Sequence, residues 1–165
     1  MAVPVAVLEE MGGFASELGR VGSLLLSGEE VLLQKQLLCR GYRCWYIPHM
    51  AVKHRVPAAR LTKRWFVRRH YCQGLSDAAM QMIEEPPTTA RRVSLALEMC
   101  WDLLRSPEKL TALLLPQKDP QRFAEKCWTL IKVGHIVGLL GATRSNVQVD
   151  LTRPTRSAVR DSTSP

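Results

Sequence analysis

The chain has 165 residues, of which 46% are hydrophobic and 23% charged, enough apolar material for one buried core and too much for a disordered chain. Its net charge of +8 is concentrated in residues 31–76, which hold ten cations (Lys35, Arg40, Arg43, Lys53, Arg55, Arg60, Lys63, Arg64, Arg68 and Arg69) and no Asp or Glu. Such a block either is spread over solvent or faces an anionic neighbour: a nucleotide diphosphate, a lipid phosphate, an anionic membrane surface or nucleic acid.

Residues 5–11 predict a short helix stopped by Gly12-Gly13, and a loop carrying Gly19 and Gly22 follows to Ser27. Gly28 opens a second helix. Glu29 and Glu30 suit its N-terminal dipole, Val31, Leu33, Leu37 and Leu38 mark an apolar face, and Gly41 stops it. Residues 42–47 (YRCWYI) alternate and are rich in aromatics, which predicts a strand ended by Pro48. Residues 50–56 (MAVKHRV) predict a second extended segment, closed by Pro57.

A helix is expected over residues 58–82, interrupted at Gly74, with a linker at Pro86-Pro87. Residues 89–105 predict another helix, on which Val93, Leu97, Cys100, Trp101 and Leu104 share one face. Ser106-Pro107 and Asp119-Pro120 each open a further helix, the last running to about Gly141. The polar tail 143–165 is expected to be disordered.

The fold class expected from this order is α/β: two or three short strands with helices, followed by a helical annex. The domain division is 1–82, 83–142 and the tail 143–165. So few strands do not complete a sheet. Either they pair with a second copy, or the larger part of the domain lies elsewhere.

The longest nearly apolar run, residues 128–142, is short for a bilayer and carries Lys132 and His135. The start Met1-Ala2-Val3-Pro4 offers no basic or apolar signal region. Five cysteines without a CxxC pair point to reduced thiols, hence a cytoplasmic location. Cys39, Cys44, His49 and His54 recur every five residues, a spacing too wide for a zinc site.

An ordered set of motifs runs over residues 8–79. It comprises Gly12-Gly13-Phe14, Glu17-Leu18-Gly19-Arg20, Ser27-Gly28-Glu29-Glu30, Leu33, Arg40-Gly41-Tyr42 and Tyr46-Ile47-Pro48. Val52-Lys53-His54, Arg60, Arg68-Arg69 with Tyr71, and Gln73-Gly74 continue it. In order and spacing the set resembles the C-terminal, acceptor-side part of family 2 glycosyltransferases of GT-A type.

The resemblance implies a partial GT-A-like sheet and inverting sugar transfer from a nucleotide-sugar to an acceptor hydroxyl, glycan or lipid-linked. One carboxylate removes the hydroxyl proton. In the family it comes from a Glu-Asp pair, here Glu29-Glu30, so that Glu30 stands where Asp is usual. His54 occupies the position near the departing diphosphate and its divalent cation, Mg or Mn, where an imidazole serves as ligand. Arg60, Arg64 and Arg68, spaced by four, with Arg69, would face the phosphates. A solvated basic face is the other reading of these arginines.

The family's nucleotide-binding half precedes these motifs, and it is expected as a missing or separate N-terminal subunit. Sugar transfer by this chain alone is therefore not expected. Two other functions remain open: a basic nucleic-acid-binding module, disfavoured because no binding motif is recognised, and a helical protein held peripherally at the inner face of a membrane. For the latter, Gly134, Gly138 and Gly141 allow close helix packing, and Trp128 and Lys132 could meet lipid.

Overall fold

A computed structural model describes residues 2–15, 18–19 and 25–141. The expected disordered tail, most of the loop around Gly22, and Glu17 and Arg20 of the motif set lie outside these residues. Among the described residues the regular structure is entirely helical: α1 (Val5–Glu10), α2 (Glu29–Cys39), α3 (Lys63–Glu84), α4 (Thr89–Leu104), α5 (Pro107–Leu114) and α6 (Pro120–Gly141). A single 3-10 turn, Ala58–Leu61, precedes α3.

The expected α/β class is thus corrected. Residues 42–47 and 50–56 form no strands. Their connection explains why they do not pair with each other. The Met50 amide donates to the Ile47 carbonyl across Pro48-His49, and no described non-glycine residue has a positive φ. A two-residue hairpin loop needs positive φ at its first central position, which proline cannot adopt. The Pro-His turn therefore splays its two arms, and no other described segment offers a sheet edge.

Helix boundaries follow local signals. Gly12 and Gly13 take positive φ after α1. Gly41, at φ 84°, ends α2: its amide donates to Leu38 O and the Tyr42 amide donates to Leu37 O. These are the two bonds of a Schellman cap, which satisfy carbonyls the helix leaves open. The Thr62 hydroxyl caps α3 by accepting from the Trp65 amide at 3.3 Å, and the Asp119 carboxylate accepts from the Arg122 amide at 2.9 Å. At α5 the Ser106 hydroxyl instead donates to the Asp102 carbonyl oxygen, leaving Pro107 to open the helix. The helix expected over 58–82 is shorter at its start, because Thr62 is extended and cuts the 3-10 turn away from α3.

Gly74 does not interrupt α3, which is continuous. A β-carbon at Gly74 would collide with the Ile131 carbonyl oxygen and stand 2.6 Å from the His135 amide nitrogen. One at Gly134 would collide with the Tyr71 carbonyl oxygen, and one at Gly138 would stand 2.5 Å from Ala78 Cβ. The small residues of α6 therefore seat it on α3, with backbones in near contact. Lys63 at the start of α3 bonds the Gln117 carbonyl just before α6, His70 meets Trp128, and Ala78 meets Gly138. The two helices thus run parallel.

α3 is the shared wall of two apolar clusters. Ala78, with Ala96 and Leu103 of α4 and Ile136 and Leu139 of α6, forms one. Ile83, with Leu18 and Leu32, forms the other. Leu95 and Met99 also turn inward on α4, while Val93, Leu97, Trp101 and Leu104 lie exposed, Leu97 at 64% and Trp101 at 57%. Of the apolar stripe legible in the sequence, Cys100 packs against the core and the other four residues face away from it.

Candidate functional site

The candidate site forms where the segment leading into α2 lies on α3. Gly28, at φ 113°, admits the chain to the helix. The Ser27 amide donates to the Ser76 hydroxyl at 3.0 Å, and the Ser27 hydroxyl donates to Gln73 Oε1 at 3.1 Å. Arg69 Nη2 donates to the same Ser27 hydroxyl at 2.9 Å. Gln73 Nε2 donates to Asp77 Oδ1 at 2.8 Å. The spacing of Arg69, Gln73, Ser76 and Asp77 puts these groups on one face of α3.

Two polar atoms at this junction are buried without a partner: Glu29 Oε2 and Arg69 Nη1. One is an acceptor lacking a donor, the other a donor lacking an acceptor. A hydroxyl group offers both functions, donating to the one or accepting from the other. Water offers them equally.

The remaining sequence-derived residues are dispersed. Glu30 is exposed in the first turn of α2. Arg64 and Arg68 are exposed on α3 one turn apart, as the spacing predicts. Arg60 lies in the 3-10 turn, so the three-arginine column does not extend along one helix. Arg69 is rotated by about 100° from Arg68, which is why it reaches Ser27 and Arg68 stays on the outer side. His54 is exposed in the irregular segment, and no described residue hydrogen-bonds to it. Among the described residues no three of His, Cys, Asp and Glu converge as a metal site, so the donors around His54 do not by themselves fit a divalent cation.

Ser76 and Asp77 were not singled out from the sequence, although their spacing from Arg69 and Gln73 was readable. A polar face continues along α3 beyond them. Gln81 Oε1 meets His135 Nε2 at 2.9 Å, and burial pushes the imidazole's pKa below its usual value, with Asp77 opposing. Lys35 bonds Glu84 at 2.6 Å. Lys35, Asp77, Met80, Gln81, Glu84 and Glu85 line a shallow cavity of about 210 Å³.

No family model, no curated protein and no solved structure matches this chain. No helix among the described residues is long and apolar enough to cross a membrane.

Proposed function

We propose that this chain carries the acceptor side of a glycosyltransferase site and acts together with a nucleotide-sugar-binding half supplied elsewhere. The observation supporting this reading is the Ser27–Arg69–Gln73 junction, which joins motifs 42 and 46 residues apart. The acidic pair that would supply the base and the arginine-rich helix that would neutralise the diphosphate are thereby adjacent. Glu30 is exposed in the first turn of α2, where it would take the proton of an acceptor hydroxyl.

Titration of the isotopically labelled chain with a nucleoside diphosphate tests the phosphate side. Amide shifts are expected at residues 27–30 and 64–73, and Arg69→Gln should abolish them. An unchanged spectrum at millimolar nucleotide, or shifts confined to α4 and α5, would overturn the reading.

A second reading, contact with the inner face of a membrane, is supported by α4. Its outward stripe of Val93, Leu97, Trp101 and Leu104 is flanked by Arg105, whose guanidinium lies 4.8 Å over the Trp101 ring. An apolar stripe with a cation at its margin suits an anionic lipid surface. Flotation with phosphatidylserine vesicles is expected, and Leu97→Gln with Trp101→Gln should remove it. Flotation that the double variant leaves intact would refute it. Nucleic-acid binding is less supported, because several cations of the basic block are engaged internally: Lys35 with Glu84, Arg40 near Glu10, and Arg69 with Ser27.

A further inference from the structure

The segment of residues 42–56 is the most exposed apolar stretch of the described chain. Trp45 is 78% exposed, Tyr46 90% and Val52 91%, with Ile47, Met50 and Val56 also in solvent. Among the described residues, the amides of residues 43–47 and 51–56 make no hydrogen bond. Tyr, Trp, Ile and Val favour strands because their side chains fit a pleated surface. Residues 50–56 also alternate: Met50, Val52, His54 and Val56 fall on one side, Ala51, Lys53 and Arg55 on the other. Both ends are held. The Schellman cap and a 3.0 Å bond from the Tyr42 hydroxyl to Glu10 fix one, and the 3-10 turn before α3 fixes the other.

We infer that residues 50–56, the arm after the Pro48-His49 turn, are a recognition segment that adds as a strand to the open sheet edge of a partner polypeptide bearing carboxylates along that edge. The pairing would satisfy every second amide of the arm, the alternate ones staying in water, and cover Met50, Val52 and Val56. Charge selects the partner. Lys53 and Arg55 stand in a stretch without any acid, so a second copy would set like charges opposite each other, which destabilises a ladder. A bilayer would accept Trp45 and Tyr46 but leave the amides without partners in an apolar phase. This inference does not depend on sugar chemistry and stands or falls apart from the glycosyltransferase reading.

The test uses the full chain and a cyclised β-hairpin peptide with an Asn-Gly turn, whose open edge alternates glutamate with valine. At nine-tenths occupancy, exchange of alternate amides within residues 51–56 should slow by about tenfold, while residues 43–47, α3 and α6 are unchanged. A lysine-for-glutamate hairpin should give no slowing, and added salt should weaken the effect. Val52→Pro, in a segment outside both cores, should lose the protection and keep the helical spectrum, and Val52→Thr should keep both. The inference is overturned if millimolar hairpin leaves exchange unchanged. It is equally overturned if protection rises with the chain's own concentration alone, or if only anionic vesicles shift the Trp45 fluorescence.

Discussion

Gly74 of α3 and Gly134 of α6 lie back to back, and neither has room for a β-carbon. At Gly74 the added carbon would strike the Ile131 carbonyl oxygen, and at Gly134 that of Tyr71. Both obstacles are backbone, which cannot rotate aside. Ala at either position should therefore cost about 3 kcal/mol and lower Tm by roughly 10 °C. Gly141→Ala, with open space around it, should be neutral or slightly stabilising. Thermal unfolding followed by circular dichroism distinguishes the three.

The orientation of α4 can be read by paired substitutions. Leu97→Gln on the exposed stripe should change stability by less than about 0.5 kcal/mol. Leu103→Ala, in the cluster with Ala78 and Leu139, should cost about 2–5 kcal/mol. Urea midpoints that reverse this order would show that the stripe faces inward.

Gly41 is required by its backbone and not by its surroundings. It adopts φ 84° with nothing close to a potential β-carbon. Gly41→Ala should cost about 1–2 kcal/mol, and Gly41→Asn less, because Asn tolerates this conformation. Urea unfolding of the two variants checks the ranking.

His135 introduces a pH dependence. Burial lowers its pKa in the folded chain, so at acidic pH the unfolded chain takes up the proton first. The neutral imidazole's contribution is full above the unfolded value of about 6.5 and declines as pH falls toward the folded value. Urea midpoints should drop between pH 7.5 and pH 5 by more in the native chain than in His135→Gln. Equal drops would remove the assignment.

At the candidate site, Ser27 and Gln73 already stood within motifs recognisable in the sequence, as did Glu29 and Arg69. Their hydrogen bonding was not readable, because it depends on how Gly28 lays the chain across α3. Splitting Arg60 from the Arg64–Arg68 pair was also invisible to spacing alone. It results from the extended Thr62, whose hydroxyl caps the helix one turn later than the periodicity suggested.

What sequence determined unaided is local. Gly12-Gly13, Gly28, Gly41, Pro86-Pro87, Ser106-Pro107 and Asp119-Pro120 mark helix ends because φ limits, missing amides and caps act within a few residues. What tertiary structure decided is everything that needs a second surface. It set the side of α4 that is buried, made α3 the seat of the glycines of α6, and left the strand-forming residues 42–56 unpaired. Helix hydrogen bonds close within the segment, whereas a strand's bonds must be met by another chain segment, and no described one is in reach.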